Sequence, residues 1–464
     1  MKAANHAVTG LDAPGLGGDA LRRLTLAAAA SRLDESRRRL AEETSGFLDS
    51  VRQVVLIASS SRSGSSMLTE TLTRSSKFLC LPGEINPYLR LAGLAWPDSG
   101  TSDGLAPEAC GAGARRVLQG HLALEVGTPA VGGGERQAGG EFDESLYRRL
   151  CLQWPFEEFG LGDVAGARAA ALAEVREMRG RACDWETDLQ LFHALFLKRI
   201  RAGRPSVNPF YYDLDRALVR SIFPELRVPT GPPSPVIIEE PPFILVRPWA
   251  RWRPEELARR PLLIKTPSNA YRLGFLRALF PAASFRVVHL TRNPAASVNG
   301  MYEGWRHWGF HSHYVGPELE VEGYGGEGGA DRGWWKFDLP PGWQDYRRAP
   351  LESVCAFQWG AAQAAILKFA RRPGWDYRRV RFEQLAGGDE SRLRVCQDLC
   401  GWLGVGADTP PETFARPLPP VMATAAPRPR RWRENAAVLE RVINQPFIRG
   451  LARDLGYEDQ SEWT

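Results

Sequence analysis

The sequence predicts an α/β protein of three layers, a parallel sheet with helices on both faces and one large insertion. Three observations lead there. The runs VVLIA (Val54–Ala58), LLIKT (262–266) and FRVVHLTR (285–292) are short, apolar and rich in β-branched residues, as strands buried on both faces must be. The second half reads strand, helix, strand, helix, the order that builds a parallel sheet. The first run also passes through SSSRSGSSM straight into a helical pattern, a strand–turn–helix unit.

In chain order, residues 1–52 form an N-terminal segment in which Leu21, Leu24, Leu33, Leu40 and Phe47 recur at near-helical spacing, so one helix is expected over Asp19–Val51. The strand Val54–Ala58 follows, then a helix beginning within SGSSMLTETL. Residues 91–227 have a looser pattern, with glycine-rich VGGGERQAGG and helices expected at Val164–Arg179 and Leu189–Ile200. They are expected to be an insertion that binds the acceptor, between core segments 53–90 and 228–464. Seven prolines between Val228 and Trp249 forbid a regular helix and predict an extended surface crossing. The strand LLIKT, a helix over Ala270–Phe280, the strand FRVVHLTR and a helix over Ala295–Trp305 complete the pattern.

At 464 residues and 44% hydrophobic, the chain is long enough to bury a large core. Its net charge of +5 suits an anionic ligand, but the 59 basic residues are spread along the chain, which implies no nucleic acid. Neither an N-terminal apolar leader nor a run of about 18 apolar residues is present, so no transmembrane segment and a cytoplasmic location are expected. The seven cysteines are irregularly spaced and read as reduced core thiols, with no metal site. A homodimer is left open.

The turn after Val54–Ala58 carries the first chemistry. A strand's end meeting a helix start presents unpaired N–H groups and the positive end of a helix dipole, an anion site. Gly64 lets the backbone approach closely, Ser65 and Ser66 add hydroxyls, and Arg62 adds a forked cation. The plainer alternative is a serine-rich helix cap. A nucleoside-triphosphate P-loop is disfavoured, because GxxxxGK[ST] is missing and the later strand ends in Thr291 and Arg292 where a magnesium-binding aspartate would stand. That strand end, Arg292–Asn293–Pro294 with Ser297 one turn on, is a second candidate anion site.

Two such sites with LLIKT between them resemble the sulfotransferases that use 3′-phosphoadenosine 5′-phosphosulfate (PAPS). The resemblance implies a P-loop-like sulfotransferase fold and PAPS as co-substrate, with no metal required. Arg62, Ser63, Gly64, Ser65 and Ser66, followed by Met67, match the family's phosphosulfate loop, and Arg292–Pro294 its 3′-phosphate element. Lys265 matches the family lysine, and RFEQL (381–385) a strand whose aromatic, here Phe382, lies near adenine. Where the family has a serine eight residues after the 3′-phosphate arginine this chain has Gly300, and Ser297 is the expected substitute. Arg431, Trp432 and Arg433 resemble a basic segment that closes over the nucleotide, and a solvated basic turn is the competing reading.

Sulfuryl transfer needs positioning, cations and removal of one proton. Arg62 and Lys265 are the expected cations. Some branches of the family use a histidine two residues after the lysine, a position held here by Pro267, and others a glutamate past the first helix, which matches Glu84. His311, between His307 and His313, is the alternative base. The acceptor is expected to be a hydroxyl or an amine of a small molecule, a natural product or a lipid, reached by in-line transfer. Residues 91–227 and 311–343 are where it would be chosen, and the fifteen tryptophans, Trp334, Trp335 and Trp343 among them, point to an aromatic or apolar one. The Ala, Arg and Gly richness suits a high-GC bacterium and secondary metabolism. A nucleotide-dependent kinase-like transferase and an inactive scaffold of the same fold are the competing functions.

Overall fold

The computed structural model describes residues 18–40, 46–129, 139–325, 329, 331–406, 414 and 421–463. Its centre is β1 (Gln53–Ala58), which pairs in parallel with β5 (Leu262–Lys265) on one side and β6 (Ser284–Thr291) on the other. β2 (Leu79–Cys80) extends the sheet beside β5, and β9 (Asp376–Arg381) beside β6, both in parallel. Two short antiparallel strands, β3 (Gly127–Pro129) and β4 (Trp249–Arg251), close the β2 edge, giving the order β4-β3-β2-β5-β1-β6-β9. A separate hairpin joins β7 (His311–Tyr314) to β8 (Trp334–Lys336).

The three layers follow from strand alternation. Val54, Leu56 and Ala58 face a core shared with α1 (Gly18–Leu40), α3 (Ala112–Glu125), α4 (Gly140–Gln153) and α8 (Leu351–Ala370). Val55 and Ile57 face the opposite core, with Leu68 and Leu72 of α2 (Ser65–Thr73) and Cys396, Leu399 and Cys400 of α9 (Asp389–Trp402). A third core gathers Trp305 at the end of α7 (Pro294–Trp305) with Trp335, Trp343 and Trp359.

Several expectations need correction. The N-terminal helix runs Gly18–Leu40, and after 41–45, which lie outside the described residues, a short helix Phe47–Ser50 begins at Gly46. Most of the glycine-rich stretch, 131–138, also lies outside them. Residues 91–227 are not set apart from the sheet, because β3 comes from them and α3 and α4 share its core. The helix expected over Ala270–Phe280 is a 3₁₀ turn, Pro267–Tyr271, then a helix Leu273–Leu279. The proline-rich crossing runs through the interior. Ile238 and Phe243 are fully buried there, and its peptide groups find partners, Phe243 N–H donating to the Tyr211 carbonyl at 2.6 Å. Prolines lack the N–H that burial would strand, so such a run is buried with few donors to satisfy. RFEQL is not a strand either: β9 stops at Arg381, and Phe382–Ala386 is a helical turn.

Among the described residues no helix is long and apolar enough to cross a membrane, and no group of His, Cys, Asp and Glu stands together to hold a metal. All seven cysteines are free.

One buried ion pair ties the layers together. The Arg272 guanidinium donates to the Asp103 carboxylate and carbonyl at 2.7 Å each and to Asn86 Oδ1 at 2.6 Å, with both charged side chains 1% exposed. Burial alone would raise the Asp103 carboxyl, but Arg272, His313 and the Leu339 N–H outweigh it and hold it far below the usual range. Arg272→Met is expected to lower stability by about 3–5 kcal/mol, because the buried Asp103 carboxylate loses its guanidinium. Since the folded-state pKa is depressed, the pair's contribution is full above about pH 4 and is lost as pH falls. Denaturant unfolding of both proteins should therefore show a large gap at pH 7 that narrows below pH 4.

Candidate active site

All five parallel strands end on one side of the sheet, and the turns after them open onto a single cleft of 1380 Å³. That is more than the roughly 300–1000 Å³ of a one-ligand pocket, so the cleft has room for two ligands side by side. Its position outside the carboxyl ends of the strands is where open α/β sheets bind ligands.

The serine-rich turn divides its hydroxyls between two tasks. Ser60, Ser61 and Ser63 are buried and hold the loop from beneath: Ser60 and Ser63 share a 2.6 Å hydrogen bond, and Ser61 donates to Asp338 Oδ1 at 2.6 Å. Ser65, Ser66 and Met67 line the cleft at the start of α2, where the first-turn amides have no carbonyl behind them in the helix. Gly64, just before, sits at φ +92°, and a Cβ there would stand 2.3 Å from the Phe382 ring. Only glycine allows both the turn and the ring.

Arg62 occupies the left-handed region at φ +63°, which turns its side chain over the loop. Its guanidinium lies 4.9 Å from the Phe310 ring centroid and donates to the Met422 carbonyl at 2.5 Å. The Met422 N–H donates to the Asp213 carboxylate at 3.0 Å, so the segment after 420 is pinned across the cleft. Arg292 comes from the end of β6. It lies 4.4 Å over the other neighbour of Gly64, the Phe382 ring, and donates to the Arg62 carbonyl at 3.1 Å. Among the described residues neither arginine has a carboxylate in ion-pair contact, and the Nε of each is buried with no hydrogen-bond partner. Burial, then Arg292 and Arg431, push the Arg62 pKa down to about 10. Arg431 is satisfied by Glu303, with Nε donating at 3.1 Å.

Facing this cationic end, Lys265 at the tip of β5 donates to Glu84 Oε1 at 2.7 Å. Thr266 accepts the Ile85 N–H at 3.3 Å and so fixes the glutamate's turn to the β5 strand end. Burial raises the Glu84 carboxyl, and Lys265 opposes that rise.

The cleft therefore gathers Arg62, Gly64, Ser65, Ser66, Met67, Glu84, Lys265, Arg292, Phe382, Arg431 and Trp432. Ser63 lies beneath it. Ser297 is not on its wall either: Ala296, Asn299 and Gly300 form the helix row that faces the cleft, and the Ser297 hydroxyl reaches Ser63 Oγ at 3.5 Å. Arg433 is exposed, 5.9 Å from the Trp432 ring centroid. His311 points away, because alternation along β7 sends Ser312 to the cleft and the His311 ring to Asp331. Its burial pushes it down to about 4, a neutral core imidazole. His289 is likewise buried, bonded to Tyr377 and Gln363. Trp334, Trp335 and Trp343 are core residues. The sequence reading missed Asp213, Phe310, Phe337, Asp338 and Met422, none of which belongs to a motif.

No protein-family model and no curated protein matches the sequence. Two solved structures are similar to it. One is the sulfotransferase domain from the Synechococcus PCC 7002 olefin synthase, 14% identical over 78% of this chain and 76% of that one, with a TM-score of 0.30. The other is a sulfotransferase domain from the curacin biosynthetic pathway, 11% identical over 88% and 99%, with a TM-score of 0.34. Likeness at that level carries no functional weight, and the cleft has to be judged on its own residues.

Gly64→Ala tests the anion loop. A methyl group forced into the Phe382 ring at positive φ is expected to lower stability by about 1–3 kcal/mol. Inorganic pyrophosphate should raise the thermal midpoint of the unaltered protein and leave that of the variant unchanged.

Proposed function

We propose that the protein is a sulfotransferase that moves a sulfuryl group from PAPS to a hydroxyl of a small-molecule, natural-product or lipid acceptor. The observation that carries this is a pair of half-buried arginines, Arg62 and Arg292, which among the described residues have no carboxylate in ion-pair contact and whose buried Nε atoms have no hydrogen-bond partner, beside a helix start. Such groups fit a polyanion with two separated charged ends. In this reading Arg62 and the amides of Ser65, Ser66 and Met67 hold the 5′-phosphosulfate. Arg292, with Arg431 nearby, holds the 3′-phosphate, and Phe382 and Trp432 flank the nucleoside. A magnesium-bound triphosphate finds less support, since Arg292 stands where a carboxylate would hold the metal at the end of β6.

The reaction follows from that placement. The acceptor oxygen attacks sulfur in line with the phosphate leaving group, forming the new S–O bond as the old S–O bond to phosphorus breaks. The leaving electron pair stays on 3′-phosphoadenosine 5′-phosphate, where Arg62 and Lys265 stabilise it. Glu84 takes the acceptor's proton, and Lys265 orients Glu84 through their 2.7 Å contact. Seven free cysteines fit a cytoplasmic enzyme.

Glu84→Gln keeps an acceptor for the Lys265 ammonium but cannot take a proton. Turnover measured with labelled PAPS is expected to fall about 10²–10⁴-fold, with donor affinity nearly unchanged. The active form is the carboxylate, whose pKa burial raises. Activity of the unaltered enzyme should therefore be lost, as pH falls, above the ordinary glutamate value of about 4.3. A variant that keeps full turnover would place the base elsewhere.

A further inference from the structure

One carboxylate in the cleft wall has no part in the transfer step. Asp338, which follows β8, is 3% exposed and lines the cleft. Both of its oxygens are engaged: Oδ1 accepts the Ser61 hydroxyl at 2.6 Å and Oδ2 the Tyr271 hydroxyl at 2.8 Å. Burial pushes its pKa up to about 6 and the two hydroxyls oppose that rise, so at pH 7 it is a carboxylate serving two donors.

Those donors come from the two turns that carry cations of the cleft. Ser61 precedes Arg62, whose φ of +63° persists in a residue other than glycine only where the surroundings impose it. Tyr271 ends the 3₁₀ turn that follows Lys265 at the tip of β5. The β1–β5 pairing stops at Ile57 and Lys265, and Asp338 continues the connection past the end of that ladder. Asp338 has little freedom of its own. Its carbonyl accepts Trp335 Nε1 at 2.9 Å and Gln358 Nε2, from α8, at 2.8 Å. On one side of it Phe337 is held at φ +64°: its N–H donates to the Phe310 carbonyl at 3.1 Å, and a Cβ on Gly304 would lie 2.4 Å from its ring. Phe310, at φ +66°, in turn donates its N–H to the Pro241 carbonyl at 2.6 Å. On the other side the Leu339 N–H donates to Asp103 at 2.9 Å, and Asp103 also accepts the Ser268 hydroxyl at 2.7 Å from the same 3₁₀ turn.

We propose that Asp338 is the positioning residue of the cationic end: it clasps the turn after β1 to the turn after β5 and so sets Arg62 and the loop amides against Lys265. What those groups then do rests on the sulfotransferase reading. The clasp acts through the loop and touches neither donor nor acceptor, because both carboxylate oxygens are taken. Groups that must converge on one leaving phosphate gain from being fixed before it arrives, and a rigid carboxylate shared by their two turns supplies that.

The probe is inorganic pyrophosphate, titrated by calorimetry into the full chain. Tyr271 does not line the cleft, so Tyr271→Phe reaches the loop only through Asp338. It is expected to weaken pyrophosphate binding roughly 2- to 12-fold, the worth of one hydrogen bond. Ser61→Ala opens the other half of the clasp, and adding Tyr271→Phe to it should cost nothing further. Asp338→Ala should weaken binding at least as much as Tyr271→Phe, and Asp338→Asn, which keeps the shape and one acceptor, should restore part of the loss. Thermal unfolding identifies any variant that fails to fold, and the Ser61 and Tyr271 pair, each the loss of a single hydroxyl, then still decides. A merely structural role would lower the thermal midpoints and leave the affinity of the folded protein alone. Affinity unchanged in Tyr271→Phe, full additivity of the two hydroxyl losses, or no binding of pyrophosphate by the unaltered protein overturns the proposal. Titration of 3′-phosphoadenosine 5′-phosphate in a separate experiment reports on the donor: its failure to bind, beside intact coupling with pyrophosphate, would sink the donor assignment and leave the clasp standing.

Discussion

The structure is organised around two guanidinium groups that it half-buries without pairing either to a carboxylate among the described residues. Arg62 and Arg292 come from the ends of adjacent strands and contact each other through the Arg62 carbonyl, and burial together with Arg292 lowers the affinity of Arg62 for a proton. Burying like charges is unfavourable unless something compensates it. The fold compensates only in part, with the Met422 carbonyl and the Phe310 ring at Arg62 and the Phe382 ring at Arg292. Around this pair the remaining charges are satisfied: Arg431 by Glu303, Lys265 by Glu84 and Arg272 by Asp103. A cleft that leaves two cations without an ion-pair partner among the described residues is chemically suited to an anion.

This arrangement explains why the parallel sheet has the order it does. With β1 at the centre and β5 and β6 on either side, the loop after β1 receives Lys265 from one neighbour and Arg292 from the other. The helix dipole of α2, the lysine and the arginine then converge with little need for long side chains to search. Beyond this centre the proline-rich crossing supplies another wall, with Pro241, Pro242, Ile244 and Leu245. One cleft thus has a cationic end fixed by the sheet and an apolar end made by connections.

The legible part of this was the part with local rules. The buried strands stand out by apolar runs, Asn293 and Pro294 mark the start of α7 as cap and first residue, and the anion loop announces itself by a glycine among serines. Glu84 and Lys265, 181 residues apart, were each recognisable by position after a strand, and the ion pair joining them was not. Where long-range packing decides, sequence reasoning failed. Ser297 shares a helix with Gly300 but is rotated off the wall, and His311 begins a strand whose faces alternate, with Ser312 the residue turned to the cleft. The proline-rich segment was read as surface because composition reports which backbone donors are missing and says nothing of what covers them. Phe310 and Phe337 lie in no motif, and their positive φ angles are set by Pro241 and Gly304, distant in sequence from one or both.

The claim that the open arginines belong to a nucleotide with a 3′-phosphate is tested most directly by calorimetric titration of 3′-phosphoadenosine 5′-phosphate and adenosine 5′-phosphate into the unaltered protein and Arg292→Ala. A charge-assisted contact contributes about 1.5–3 kcal/mol, so the unaltered protein should favour the 3′-phosphorylated nucleotide by about 10- to 100-fold. Arg292→Ala should abolish that preference while binding adenosine 5′-phosphate almost as before. Equal binding of both nucleotides by the unaltered protein, or an equal loss of both in the variant, would contradict the assignment.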